Sequence, residues 1–242
     1  VRPRRIELAL IAAALLAFLP AQAQQRQPTE LEEMLGHPKR APVVPPELRP
    51  MVRESRPERL IVRGLGGGDI AVDISQREPV TFGQYGGGRF LGFSFMGYEF
   101  FGHTLVDRRM SGEAAVVETG APPVFSPDGR HFVALQISES AFGNFEGLGL
   151  WEVRPDGIAQ LFFTDALPHA MDWRVDGWAS EECAALSAVA FGWQPPQGED
   201  WETALPRAPR TNYNLQVGPP IMLQASDGCS GVPAATEGGS DG

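Results

Sequence analysis

Between Leu60 and Ala225 the apolar residues fall in short runs, many alternating with polar residues, and glycine, proline and aspartate separate one run from the next. No stretch of this region keeps the 3.6-residue period of an amphipathic helix, whereas alternation with a period of two is that of a half-buried strand. Leu60-Ile61-Val62 and Ile70-Ala71-Val72-Asp73-Ile74 flank the glycine run Gly64–Gly68 as a hairpin. Thr104–Asp107 and Ala114–Glu118 flank Arg109-Met110-Ser111-Gly112 as a second, and Gly149–Val153 and Ile158–Phe163 flank Arg154-Pro155-Asp156-Gly157 as a third. Ser-Gly and Asp-Gly supply the positive φ that such turns require. The pattern predicts an all-β chain built as a meander.

The sharpest local signal is Pro122-Pro123-Val124-Phe125-Ser126-Pro127-Asp128-Gly129-Arg130-His131-Phe132-Val133-Ala134. Val124-Phe125 ends one strand, Pro127 fixes φ, Asp128 can bond forward to the backbone, Gly129 takes the left-handed position, and His131 opens the return strand. This segment, continued to Phe163, resembles the WD-like (TolB-type) repeat of bacterial periplasmic β-propellers, in which F-S-P-D-G-K/R joins the first two strands of a blade. Looser echoes are the aromatic of Val80–Gly86, Asp176-Gly177, and Gly218-Pro219-Pro220 through Asp227-Gly228. The resemblance implies blades of about 40–50 residues, each a four-stranded antiparallel sheet. The expected architecture is a half blade at 60–75, whole blades at 79–118 and 122–164, an irregular one at 169–217 and a closing strand at 219–224 that could complete the sheet begun by the first hairpin. The fold class is thus a small propeller-like array of antiparallel sheets, about four blades. Strand periodicity alone equally allows a β-sandwich or an open stack of sheets.

The ends read differently. Arg2, Arg4 and Arg5 precede a twelve-residue apolar run, Leu8–Leu19, and Ala21-Gln22-Ala23 is a small-x-small cleavage site. Residues 1–23 therefore read as a signal peptide, too short in its apolar part to span a bilayer, which takes about 20 residues. Cleavage near Ala23 would place the mature protein in the periplasm or outside the cell, without a transmembrane anchor. Residues 24–59 hold seven prolines and read as a mostly non-globular linker. The globular domain is expected over 60–229, and 230–242 as a flexible tail.

Composition narrows the chemistry. The net charge of −10 argues against nucleic acid as a partner. Of the 20 basic residues only Lys39 is lysine, which leaves little room for lysine-dependent chemistry. Cys183 and Cys229, the two cysteines of the chain, are expected to pair in an oxidising compartment, and their 46-residue separation could contribute about 3–4 kcal/mol. His37, His103, His131 and His169 show no metal-ligand spacing. No nucleophile elbow, phosphate loop or dinucleotide fingerprint occurs, so no catalytic, cofactor or metal residues are assigned. Asp165, Asp172, Asp176, Glu181 and Glu182 form a local acidic cluster, read as a solvated loop.

The aromatic stretch Phe90–Phe101 stands apart. Most of it fits packing between blades, but the consecutive Phe100-Phe101 requires one ring to leave the core face unless both faces are covered. Tyr98, Phe100 and Phe101 are accordingly a candidate partner surface. The functional expectation is an exported, non-catalytic β module that binds a protein or a cell-envelope component. The alternative is a secreted hydrolase or lyase with acid–base residues on propeller loops.

Overall fold

The computed structural model describes residues 40–138 and 142–225. They form fifteen strands in four antiparallel sheets, each a meander in chain order. Sheet A comprises β1 (Val52–Arg56), β2 (Arg59–Arg63) and β3 (Asp69–Asp73). Sheet B comprises β4 (Glu78–Tyr85), β5 (Phe90–Gly97), β6 (Phe100–Asp107) and β7 (Val116–Glu118). Sheet C comprises β8 (Val124–Phe125), β9 (His131–Gln136), β10 (Gly147–Arg154) and β11 (Gly157–Thr164). Sheet D comprises β12 (Ala170–Ser180), β13 (Cys183–Ala190), β14 (Arg210–Gln216) and β15 (Met222–Ala225). The one α-helix among the described residues is α1 (Trp201–Ala204), capped by the Asp200 side chain accepting from the Thr203 amide at 2.8 Å. No helix among the described residues is long and apolar enough to cross a membrane.

The sheets stack so that neighbours share a core. On sheet A, Leu60, Val62, Ile70 and Val72 point one way and pack with Leu91, Phe93, Phe95 and Val106 of sheet B. The period-two alternation of β5 sends Phe90 to the opposite side, where it joins Leu105, Phe132, Ala134 and Trp151 between sheets B and C. Val133, Leu135, Leu148 and Leu150 leave sheet C on its other face and meet Ala184, Leu186, Ala188, Tyr213 and Leu215 of sheet D. Sheets B and C are therefore apolar on both faces. The outer face of sheet A carries Arg59, Arg63, Asp69 and Asp73, all exposed. Four sheets in the expected order form a propeller-like array whose first sheet turns a polar face to solvent.

Three sequence expectations need correction. The linker does not extend to Arg59: Pro46–Met51 is a 3-10 helix, with Pro46 at its start, and Val44, Leu48 and Met51 are buried in the core between sheets A and B. Proline at the first helical positions is compatible with a helix; Leu48 and Met51, three residues apart, share one side of a helix with three residues per turn, and Val44 joins them from the segment before it. The segment then runs directly into β1. The final strand does not close onto the first sheet; β15 pairs with β14 inside sheet D, Leu215 opposite Leu223. Asp176-Gly177 is no turn. It lies inside β12, at a break in register between Val175 and Gly177. The Asp227-Gly228 echo, Cys229, the signal segment and the tail lie outside the described residues.

The Ser126–Arg130 turn forms as expected. Ser126 Oγ donates to Asp128 Oδ1 at 2.7 Å and accepts from the His131 amide at 2.9 Å, and Gly129 stands at φ 68°. Burial acts to raise the Asp128 carboxyl, but hydrogen bonds from Ser126 and Arg130 outweigh it and hold the group well below the usual carboxylate range.

One ion pair fastens sheet B to sheet C. Arg89 Nε donates to Asp107 Oδ1 at 2.9 Å while its Nη2 reaches both Asp107 Oδ2 and the Arg154 carbonyl, the latter at 2.7 Å in the β10–β11 turn. Asp107 is fully buried. Replacing Arg89 by Ala strands a buried carboxylate, and the expected loss is about 3–5 kcal/mol in urea unfolding followed by tryptophan fluorescence. Arg89→Ala with Asp107→Leu should recover part of that loss; a single-variant loss below about 1 kcal/mol would show that the pair holds nothing together.

Candidate functional site

The hairpin of β5 and β6 turns through two residues, Tyr98 and Glu99, with Gly97 opposite Phe100 and Glu99 at φ 56°. Along β6 the even positions face sheet A. Phe100 is one of them: partly buried, its ring centroid 5.8 Å from that of Phe95, it packs against the core shared by sheets A and B. It is thus removed from the candidate surface, because sheet A covers the face on which it lies. Phe101 faces the other way, beyond the end of sheet C, and is 38% exposed. Its amide donates to the Phe142 carbonyl at 3.0 Å and its carbonyl accepts from the Asn144 amide at 2.9 Å, which fixes it against the 142–144 segment. Met96 stands directly across from Phe101 and is 59% exposed, Tyr98 at the tip is 58% exposed and Phe142 is 44% exposed. Tyr98 and Phe101 therefore sit in a wider apolar patch that includes two residues the sequence did not single out, Met96 and Phe142. The pairing register is what adds Met96. Glu78, opposite Met96 on β4, and Glu99 are exposed and give the patch an acidic rim.

Beneath this tip lies a serine–histidine contact. Ser94 Oγ is 3.0 Å from His103 Nδ1. His103 is buried, its Nε2 has no hydrogen-bond partner, and the Tyr85 ring meets it edge-on at 6.0 Å. A Cβ on Gly92 would come within 2.5 Å of that Nε2, so glycine makes the space the imidazole fills. Burial lowers the His103 pKa to about 4. The ring is neutral at pH 7 and enclosed between sheets B and C, with no room for a substrate at Nε2. It is a structural group.

The other sequence candidates are dispersed. His131 stacks on Trp178, His169 stacks on Phe191 at 3.8 Å, and His37 lies outside the described residues. Of the acidic cluster, Asp172 is paired with Arg174 and Arg210 and Glu181 with Arg130. No group of three or more His, Cys, Asp or Glu among the described residues could hold a metal ion. Cys183 is buried at the start of β13.

Asp172 has the least ordinary setting. β12 bulges between Met171, paired with Val189, and Arg174, paired with Ser187, and Asp172 stands at φ 46°. Aspartate tolerates this left-handed conformation better than most residues. The bulge sends Trp173 inward against Tyr213, ring centroids 4.6 Å apart, and leaves the Asp172 carboxylate on the outer face of sheet D. There Arg210 Nη1 donates to Asp172 Oδ2 at 2.6 Å and Arg210 Nε donates to Ser187 Oγ at 2.7 Å.

No family model matches this chain, and no curated protein matches its sequence.

His103 gives a pH test with a definite sign. Above about pH 6.5 the imidazole is neutral in both folded and unfolded chains. As pH falls from there towards 4 the unfolded chain takes up a proton that the folded one refuses, so stability drops through that window and then levels. The depression corresponds to roughly 3 kcal/mol. Urea midpoints at pH 7 and pH 4 should converge between the wild type and His103→Gln as pH falls; equal pH slopes for both proteins would refute a buried neutral His103.

Proposed function

We propose that this chain is an exported, non-catalytic β module that docks a protein of the cell envelope through the tip of sheet B. The observation that carries the reading is the exposed group Met96, Tyr98, Phe101 and Phe142. Aromatic and methionine side chains are the residue types enriched where proteins meet, and they act best when fixed before binding. Here the fixing is evident: β5 and β6 are paired along their whole length, and Phe101 is further held by the 142–144 segment. The acidic rim of Glu78 and Glu99 favours a partner whose apolar contact is bordered by lysine or arginine. The negative balance of the whole chain favours the same partner.

Export rests on the pattern of the first 23 residues, and with it comes an oxidising compartment in which Cys183 and Cys229 pair. The secreted protein should begin at Gln24 by N-terminal sequencing. Its intact mass should not change on alkylation without reductant and should gain two alkyl groups after reduction. Two alkylated thiols without reductant would exclude the bond.

Docking is tested by crosslinking in the exporting cell, followed by mass spectrometry of the captured species. Tyr98→Ala with Phe101→Ala removes exposed rings and should leave the unfolding midpoint nearly unchanged. The expected result is at least a tenfold drop in a reproducible crosslinked protein. Undiminished capture by the double variant, or no reproducible partner for the wild type, would overturn the reading.

A further inference from the structure

We infer that the outer face of sheet D carries a second, independent site, a shallow cleft that binds a carbohydrate. It lies where the start of β12, the end of β13 and α1 come together. Met171 and Asp172 form one wall and Trp201 and Leu205 the other, around a volume of about 420 Å³. Trp201 is 41% exposed, and Trp193 braces it edge-to-face with ring centroids 5.4 Å apart at 80°. Ala170, the neighbour of Met171, pairs with Ala190, which places the stacked His169 and Phe191 at the same end of the β12–β13 pair, and Phe191 is 62% exposed.

The chemistry of this cleft sorts its ligands. A sugar ring presents an apolar C–H face and a periphery of hydroxyl donors. It therefore needs one broad aromatic surface and nearby charged or polar groups to receive and give hydrogen bonds. Trp201 supplies the first, and Trp193 fixes its orientation before any ligand arrives. The Asp172 carboxylate, pinned by Arg210 and Arg174, is an oriented acceptor, and hydrogen bonds to a charged acceptor are the strong ones. A cationic ligand fits less well, because two guanidinium groups already surround the single carboxylate. A planar heteroaromatic ligand would favour two parallel rings to lie between. The perpendicular tryptophans provide no such slot, and the His169–Phe191 pair is already stacked at 3.8 Å. The shallow form of the cleft, open at Trp201, suits a unit within a longer glycan chain.

The bulge at Asp172 follows from the same reading. In strict alternation Met171 and Arg174, three residues apart, would face opposite ways; the extra residue puts both on the outer face, and Asp172 with them. β12 is the edge strand of sheet D, where bulges are common, and this one re-aims Asp172 so that its carboxylate stands beside the aromatic platform.

The test uses the secreted full-length protein on an array of immobilised oligosaccharides covering β-1,4-linked N-acetylglucosamine, β-glucan, α-glucan and mannan chains, with tryptophan fluorescence titration against the soluble trimer of the class retained. The expected result is saturable binding to one class with a change in emission. Affinity should fall at least tenfold in Trp201→Ala and in Asp172→Asn, and should be largely restored by Trp201→Phe. Phe191→Ala, a substitution of a side chain mostly in solvent, should weaken binding several-fold and serves if Trp201→Ala unfolds. Tyr98→Ala with Phe101→Ala should bind glycan as the wild type does, so this site and the protein-docking tip stand or fall separately. No glycan retained by the wild type, or retention unchanged in both Trp201→Ala and Phe191→Ala, would overturn the inference.

Discussion

The constraint on which the structure depends is that its two inner sheets must be apolar on both faces. A sheet with one wet face alternates strictly, but the central strands of sheets B and C are packed between neighbouring sheets and have no wet face along most of their length. β5 meets this requirement with rings on both sides, Phe93 and Phe95 towards sheet A and Phe90 towards sheet C. β9 and β10 do so with Phe132 and Trp151 on one side and Val133, Leu148 and Leu150 on the other. Two-sided covering limits where exposed chemistry can arise. Besides the edge strands β4 and β11, which expose Val80, Leu161 and Phe163, side chains of an inner sheet reach solvent where a strand outruns the sheets that cover it, and the β5–β6 hairpin does so at Met96, Tyr98 and Phe101.

Polar groups inside such a stack have to be satisfied in place, because a buried group without a partner is costly. Arg89 and Asp107 solve this by forming a two-pronged pair that also engages the backbone of the next sheet, so the desolvated charges lock the stacking of sheets B and C. His103 meets it only in part, since its Nε2 has no hydrogen-bond partner. Its protonated form is disfavoured by burial, Ser94 meets one nitrogen, and Gly92 opens the space beside the other. Both groups lie in the same interface, and both serve cohesion there.

Much of this was legible in the chain because turn chemistry is local. Pro127-Asp128-Gly129, Asp156-Gly157 and the glycines of 64–68 bend the chain for reasons contained within a few residues, and the hairpins they predict are all present. What stayed hidden depends on contacts distant in sequence. Pro45, Pro46 and Pro50 look like a linker until the core between sheets A and B supplies a reason to bury Val44, Leu48 and Met51. Asp176-Gly177 has the composition of a turn, yet pairing with β13 on one side holds it within a strand. Phe100 and Phe101 are equivalent as letters, and only the register of β6 against β5, with sheet A above one face, tells the inward ring from the outward one. Trp201 and Asp172, 29 positions apart, give no linear sign that they share a cleft.

The two end sheets escape the demand placed on the inner ones, and they use that freedom differently. Sheet A needs apolar side chains on one face only, and its other face carries alternating arginine and aspartate across β2 and β3, Arg59 opposite Asp73 and Arg63 opposite Asp69. Charge on that face disfavours burying it against another sheet. Sheet D instead mixes charged and apolar residues on its outer side, Asp172, Arg174 and Arg210 beside Met171 and Val189, and α1 covers part of it, with Val189 and Ala204 fully or nearly buried. The half-exposed Trp201 and Phe191 stand beside a carboxylate that an edge-strand bulge turns outward, and this is the arrangement the proposed glycan site would use.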